Sequence, residues 1–259
     1  MAKTDRTISD AVRDIMASFP ESEEFASHGS PTFRVRGKIF ASYSINHHGD
    51  GRVALNLIAP RGAQAAFTKM RPDAYFVPPY CGPKGWLGVE LDKGLAWETI
   101  REHVSDAYEI VAPSELVNSI DKNFRVKPPT RKFRPEEIDP FKSKRATMIL
   151  KKLDAICSAL PETEPGTQFG APVWRAGKKT FVSTHYYTGR MNLSFWVGAK
   201  RQAALINDAR YRVSPYTGHN GWIDLDVEEH QDWEEIEELA LESYRKFALK
   251  RMLKLFDAR

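Results

Sequence analysis

The sequence predicts an α+β protein built from two tandem domains of one fold. Three observations carry that prediction: the chain repeats itself, apolar residues recur at helical spacing in matching places of both copies, and short turns join the segments between them. The stretch PYCGPKGW at 79–86 returns as PYTGHNGW at 215–222, and GSPTFR at 29–34 returns as GAPVWR at 170–175. A chain of 259 residues gives each copy roughly 110 residues, enough for a hydrophobic core of its own.

Each copy is predicted to begin with a helix that a proline ends. Pro20 and Pro161 follow the two apolar stripes, and proline disfavours helical geometry in the residue before it. The first stripe comprises Ile8, Val12, Ile15, Met16 and Phe19, and the second comprises Ile149, Leu153, Ile156, Cys157 and Leu160.

Three strands, a short helix and two further strands are expected to follow in each copy. The first three strands are predicted at 33–35, 39–45 and 53–59, and again at 174–176, 180–187 and 191–197. The short helix is expected near 63–70 and 201–209, and the last two strands at 75–79 and 86–91, repeated at 211–215 and 222–227. Trp86 and Trp222 open the final strand of each copy. We expect them to anchor its core, and a base-stacking role is the less favoured interpretation.

A closing helix completes the order α-β-β-β-α-β-β-α in each copy. Its stripe is Trp97, Ile100, Val104 and Tyr108 in the first copy, and Trp233, Ile236, Ala240 and Tyr244 in the second. Because short turns join the strands, each sheet should be mostly antiparallel, with helices packed on it. The predicted domains are therefore 1–113 and 146–259, joined by a basic, proline-containing linker at 114–145.

The basic character of the chain is concentrated between the two copies. Residues 121–145, called here the basic segment, carry nine Lys and Arg against four Asp and Glu, while the parts on either side are close to neutral. The segment contains four prolines and has no helical or strand period. It is therefore predicted to be an extended tether, partly disordered or wrapped over a domain surface.

The repeat removes most candidates for catalysis. Cys81 aligns with Thr217, Cys157 aligns with Met16, and each of the seven histidines stands in one copy alone. The sequence contains no GxSxG or HExxH motif, no phosphate-binding glycine loop that opens a helix, and no Cys/His cluster spaced for zinc. We therefore expect no catalytic residue, no metal and no cofactor, with an enzyme as the least favoured class.

The order of the two repeated motifs resembles the MmcQ/YjbR family. The resemblance rests on Gly-x-Pro-x-aromatic-Arg followed by a Gly-Trp strand opening, and it covers roughly 7–113 and again 146–250. Members of that family are similar in fold to type III secretion chaperones and are described as predicted DNA-binding proteins. The resemblance therefore implies a tandem two-copy member, and it supplies no catalytic residues.

The function predicted from these features is non-enzymatic, sequence-independent binding of DNA in the cytoplasm, with no membrane attachment. Phosphate contacts are expected from the basic segment and from Arg and Lys near the strand turns. The candidates in the basic segment are Arg125, Lys127, Arg131, Lys132 and Arg134, and those at the turns are Arg34, Lys38, Arg52, Arg175, Lys179 and Arg190.

Two other interpretations stay open at this stage. The guanidinium groups at the turns could instead pair with Glu21 or Glu23 inside their own domain, and the basic segment could be a solvated linker. The near-neutral domains and the chaperone-like fold also suit an adaptor that binds a protein or a peptide. The oligomeric state does not follow from the sequence.

Overall fold

The computed structural model describes residues 5–27 and 30–258, so Gly29, the first residue of the Gly-x-Pro motif, lies outside the described residues together with His28. The chain divides into two compact units, Met1–Ile138 and Asp139–Arg259. The division falls inside the predicted linker 114–145, and most of that linker therefore belongs to the first unit.

The first unit contains one sheet and five helices among its described residues. Its elements are α1 (Ile8–Ala17), β1 (Glu23–Ser27), β2 (Ser30–Val35), β3 (Lys38–Ile45), β4 (Val53–Leu57), α2 (Ala63–Met70), β5 (Tyr75–Phe76), β6 (Leu87–Glu90), α3 (Trp97–Val111), α4 (Ser114–Asn118) and α5 (Pro135–Ile138). Its six strands lie in the order β1-β2-β3-β4-β6-β5, and all neighbours are antiparallel.

The second unit repeats this arrangement strand for strand. Its elements are α6 (Lys144–Ser158), β7 (Thr163–Gln168), β8 (Ala171–Ala176), β9 (Lys179–Tyr187), β10 (Arg190–Trp196), α7 (Gly198–Leu205), β11 (Tyr211–Val213), β12 (Trp222–Asp226), α8 (Trp233–Phe247) and α9 (Lys250–Asp257). The sheet order is β7-β8-β9-β10-β12-β11, again antiparallel throughout. The predicted α+β class, the mostly antiparallel sheets and the tandem duplication are confirmed.

Each sheet has one more strand than the sequence predicted. The additional strands, β1 and β7, lie at the edge of their sheets and pair with one neighbour each in the described structure. Their sequences, EEFAS and TEPGTQ, are mostly exposed and lack the apolar alternation of a half-buried strand. The strand predictions relied on the pattern of apolar side chains. An edge strand can form through backbone hydrogen bonds to one neighbour with little side-chain burial, so that pattern did not indicate β1 or β7.

The long closing helix packs over the middle of each sheet and seals a core. Tyr108 of α3 and Tyr244 of α8 are fully buried. The Tyr108 hydroxyl donates to the carbonyl of Pro20 at 2.6 Å, and the Tyr244 hydroxyl donates to that of Pro161 at 2.9 Å. The two prolines that end the first helices therefore also accept the hydrogen bond that positions the closing helix.

The expectation that Trp86 and Trp222 anchor the cores is wrong. Both indoles are half-buried and lie outside the two clusters of buried core residues. In the first domain, Leu87 and Val89 point into the core. Because successive residues of a strand point to opposite faces of the sheet, Trp86, next to Leu87, lies on the other face. Across the described part of the chain, no helix combines the length and the apolar character needed to cross a membrane.

Candidate nucleic-acid interface

Residues 121–138 of the basic segment belong to the first unit and are held there by apolar side chains. Val126 is buried in the first core, and Phe124, Phe133 and Ile138 pack against the same core. At the backbone, the Thr130 N–H donates to the carbonyl of Arg6 at 2.9 Å. Of the two conformations that the sequence left open, the segment therefore adopts the one wrapped over a domain surface.

Four cations beside these apolar anchors project into solvent. Lys122, Arg125, Lys127 and Lys132 are exposed, and within the described structure none of them forms an ion pair with a carboxylate. The Arg125 guanidinium donates Nη1 to the backbone carbonyls of Lys122 and Phe124 at 3.2 and 3.1 Å, which leaves its charge uncompensated. These four residues are called the exposed cation set.

The other two candidates in the basic segment are neutralised internally. Arg131 donates Nη1 and Nη2 to the two oxygens of Glu137 at 2.7 and 2.8 Å, and Arg134 donates Nε to the same carboxylate at 3.3 Å. The hydrogen bonds from Arg131 are the main reason why the pKa of Glu137 falls to about 2. A phosphate at this point would have to displace a carboxylate that is ionised across the physiological pH range.

The predicted cations at the strand turns of the first domain are divided in the same way. Arg34 lies on β2 and donates Nε to Glu23 at 2.9 Å, as one of the two sequence interpretations expected. Arg52 donates Nε to Glu90 of β6 at 2.9 Å, and its guanidinium lies 4.3 Å from the ring centre of Phe76. Lys38 opens β3, is exposed, and has no ion pair among the described residues.

In the second domain, the turn cations repeat part of this pattern. Arg190 pairs with Asp226, the counterpart of Glu90, and also with Glu229 at 3.2 Å. Arg175 donates Nη2 to the carbonyl of Thr167 at 3.1 Å, and it pairs with no carboxylate in the described part of the chain. Lys179 opens β9 in the place of Lys38 and is likewise exposed and without an ion pair in the described chain.

The recurrence of the Arg52–Glu90 and Arg190–Asp226 pairs assigns these two arginines a role in the fold. Each pair joins the start of one strand to the end of its neighbour in the sheet. The hydrogen bonds that Arg190 donates to Asp226 and Glu229 raise its pKa, since they favour the charged guanidinium. Five of the predicted contact residues are thus held by carboxylates: Arg34, Arg52, Arg131, Arg134 and Arg190.

The structure also reveals a polar network in the second domain that the sequence did not indicate. Asp224 of β12 is fully buried and lies between Ser194 of β10 and Arg212 of β11 in the strand register. Its Oδ1 accepts hydrogen bonds from the hydroxyls of Ser194 at 2.7 Å and Ser214 at 2.5 Å. Its Oδ2 lies 2.8 Å from Nη2 of Arg212 and 3.1 Å from Nε2 of His185. These five residues are called the Asp224 network.

The electrostatics of the network keep Asp224 ionised. Burial by itself raises the pKa of Asp224. The hydrogen bond and the attraction to His185, together with the hydrogen bonds from the two serine hydroxyls, lower the pKa by more than burial raises it. The net pKa therefore lies below the ordinary 3.8. The guanidinium of Arg212 is itself covered by the Tyr187 ring, whose centre is 3.6 Å away. The carboxylate is therefore buried together with its compensating charge.

The Asp224 network has the residue types of a Ser-His-Asp nucleophile but not its geometry. Nδ1 of His185 lies 3.3 Å from Oγ of Ser194, yet that hydroxyl already donates to Asp224. Ser194 is also buried, so a substrate carbonyl could not reach its oxygen. The sequence signal for this network was the replacement of Gly88 by Asp224 between copies, because a carboxylate where the other copy has glycine is not required by the fold.

The cysteines lie in unlike environments. Cys157 is buried on α6, and burial raises the pKa of its thiol well above the ordinary range, so it behaves as a small apolar side chain. Cys81 is half-buried, and burial raises its pKa as well. Within the described ranges, no three His, Cys, Asp or Glu side chains are grouped closely enough to hold a metal ion.

Comparison with known proteins identifies the family. The family model described as YjbR matches residues 17–110 and again 158–246, which together make up more than half of the chain. The chain belongs to the YjbR family. The two matches confirm the tandem arrangement, and the exposed cation set lies between them. The part of this YjbR protein with the highest positive charge is thus outside both family units.

Among solved structures, the chain is similar to protein DR2400 of Deinococcus radiodurans, whose crystal structure contains the domain DUF419. The identity is 18%, the match covers 46% of this chain and 88% of that one, and the TM-score is 0.37. No curated protein matches the chain significantly.

Proposed function

We propose that this tandem YjbR protein is a non-enzymatic DNA-binding protein of the cytoplasm that contacts phosphates without reading sequence. The observation that carries the proposal is the exposed cation set: Lys122, Arg125, Lys127 and Lys132 stand on a backbone that is anchored to the first core. An anchored segment loses less conformational entropy on binding than a free tether would, so its charges are better placed for a polyanion.

The contribution of the strand-turn residues is expected to be smaller. Lys38 and Lys179 are exposed and available, whereas Arg52 and Arg190 would have to give up a carboxylate partner for each phosphate they contact. The sequence predicted phosphate contacts both at the strand turns and in the basic segment. With most arginines at the turns already paired, we expect the basic segment to make most of the phosphate contacts.

Salt dependence is the measurement that tests the proposal most directly. If four cations each neutralise one phosphate of duplex DNA, the logarithm of the association constant should fall with the logarithm of salt concentration at a slope of about −3.6. Between 50 and 200 mM salt, that slope corresponds to a loss of affinity of roughly 100-fold. An affinity that does not fall with rising salt would overturn the proposal.

A matched pair of variants then locates the interface. Replacing the exposed cation set with alanine should abolish most of the salt dependence. The control replaces four exposed lysines elsewhere, Lys69, Lys151, Lys200 and Lys254, and removes the same net charge. If both variants lose affinity equally, the binding is a general effect of net charge and the basic segment is not the interface.

A second candidate, an adaptor for a protein or a peptide, is favoured by the edge strands. β1 and β7 each end a sheet and present backbone groups along one side, which is the surface that an extended peptide uses when it adds a strand. Recovery of one protein partner from a pull-down, unchanged by nuclease treatment, would support this candidate over DNA binding.

A further inference from the structure

The loop between the last two strands is built in the same way in both domains. In the first domain, Nε2 of Gln64 on α2 donates to the carbonyls of Gly82 at 2.9 Å and Trp86 at 2.5 Å. In the second domain, Nε2 of Gln202 on α7 donates to the carbonyls of Gly218 and Trp222, both at 2.8 Å. One glutamine therefore ties both ends of each loop to the neighbouring helix.

Close packing inside the loop adds to this restraint. A Cβ atom on Gly82 would lie 2.4 Å from Cγ1 of Val77, and one on Gly218 would lie 2.2 Å from Cγ1 of Val213. Both distances are far below van der Waals contact, so glycine is required where the valine folds over the turn. Each loop is thus a defined structure held from two sides.

Each loop presents a tyrosine to solvent. Tyr80 is 75% exposed and Tyr216 is 86% exposed, at equivalent positions of the repeat. Tyr80 also holds a left-handed backbone with φ of +65°, an unfavourable conformation for a residue with a Cβ. Its hydroxyl lies 3.2 Å from Nε2 of His48, and the rings of His47 and His48 approach it edge-on.

Tyr216 differs from the other side chains that recur in both domains. The recurring pairs Tyr108 and Tyr244, and Arg52 and Arg190, each bind a partner within their own domain. Tyr216, in contrast, has no hydrogen bond or ring contact with any described residue, and its exposure excludes a packing role. The requirements of the fold therefore explain the glycines and the glutamines but not Tyr216, and the contacts of Tyr80 with His47 and His48 do not recur among the described residues of the second domain.

We propose that Tyr80 and Tyr216 are stacking platforms for the bases of a single-stranded nucleic acid. An exposed aromatic ring on a restrained loop that carries no acidic residue is suited to stack on a base without reading its identity. The two loops, 77–86 and 213–222, contain no Asp or Glu, and they carry Lys84 and His219. A duplex offers no unstacked base faces, so this inference, which rests on the proposed DNA binding, specifies a single strand as the ligand of the two loops, while the exposed cation set serves either form.

Fluorescence anisotropy with two labelled probes tests the inference. One probe is oligo(dT) of about 20 nucleotides, longer than the ~4–16 nucleotides that one small domain covers, and the other is a duplex of the same length. Tyr80→Ala and Tyr216→Ala should each weaken binding of oligo(dT) by about 5- to 150-fold and leave duplex binding unchanged. Tyr80→Phe and Tyr216→Phe keep the ring and should bind oligo(dT) like the unmodified protein.

The possible outcomes separate the two proposals. If the alanine variants bind oligo(dT) normally while loss of the exposed cation set abolishes binding, the stacking inference is wrong and the proposed function stands. If the unmodified protein binds neither probe, both are wrong. If alanine at these positions abolishes capture of a protein partner but not of oligo(dT), the loops are protein-docking elements. Circular dichroism melts of each variant exclude unfolding as the cause, which is a minor concern for side chains this exposed.

Discussion

The same three positions across the sheet are filled in opposite ways in the two domains. In the first domain, Asn56, Gly88 and Phe76 lie side by side on β4, β6 and β5, and in the second domain the register places Ser194, Asp224 and Arg212 there. One domain covers a bare glycine with an aromatic ring, while the other buries a carboxylate beneath a guanidinium. The backbone register is identical, so the fold tolerates either solution.

This difference separates what the YjbR fold needs from what one copy has acquired. The pairs Arg52–Glu90 and Arg190–Asp226 occur in both sheets, so they belong to the shared scaffold. The Asp224 network occurs in one sheet only, and burying an ion pair is weak evidence of a gain in stability over an apolar alternative. We expect the network to order side chains of the second domain, including the Arg212–Tyr187 stack.

The largest expected effect comes from removing the buried carboxylate. Asp224→Ala would leave two buried serine hydroxyls and the partly buried guanidinium of Arg212 without their acceptor, and should lower the free energy of opening of the second domain by about 3–5 kcal/mol. Hydrogen exchange of the β12 amides measures this loss, and the β6 amides of the same sample provide an internal reference. A loss below about 1 kcal/mol would show that the second domain does not depend on its network.

The glycine of the first domain should resist substitution for a different reason. A Cβ on Gly88 would lie 2.5 Å from the Phe76 ring, so Gly88→Ala should cost about 1–3 kcal/mol through overpacking. Hydrogen exchange of the β6 amides would report that cost. In the double variant with Phe76→Ala, the added cost of the methyl group should largely disappear, and a fully additive pair would refute the steric explanation.

Acid should remove the contribution of ionised Asp224 to the stability of the second domain. Because its folded pKa lies below the ordinary 3.8, ionised Asp224 stabilises the second domain above that pH, and this contribution is lost as the pH falls through the folded pKa. The difference in stability between the unmodified protein and Asp224→Asn should therefore be largest near neutral pH and shrink below about pH 4. A difference that stays constant down to that pH would mean that charge is not what Asp224 contributes.

The smallest expected effect concerns the pair that both domains share. Arg52 and Arg190 have side chains that are 39% and 41% exposed, so solvent screens their ion pairs. Arg52→Ala and Arg190→Ala should each cost about 0.2–1 kcal/mol, measured by urea denaturation of each single variant. Similar values would support a common scaffold role, whereas a much larger loss for one arginine would mark its pair as part of a domain-specific site.

The sequence located the basic segment of the candidate interface, but it did not show which of its cations lack a carboxylate partner. The composition shows an excess of positive charge at 121–145. It does not distinguish Lys122, which is exposed and has no ion pair among the described residues, from Arg131, which Glu137 neutralises. That distinction depends on how the chain turns between the two residues. Phe124, Val126 and Phe133 anchor the segment, but a stripe of three apolar residues among prolines has no period that identifies it beforehand.

The sequence by itself determined the duplication, the α+β class and the order of most elements. These features depend on local patterns, namely the spacing of apolar residues, the prolines that end helices and the glycines in turns. The tertiary structure alone decided which charges are compensated, because partners such as Arg52 and Glu90 are 38 residues apart and meet only when β4 and β6 pair. It also added β1 and β7, since an edge strand is defined by the backbone of its neighbour more than by its own side chains.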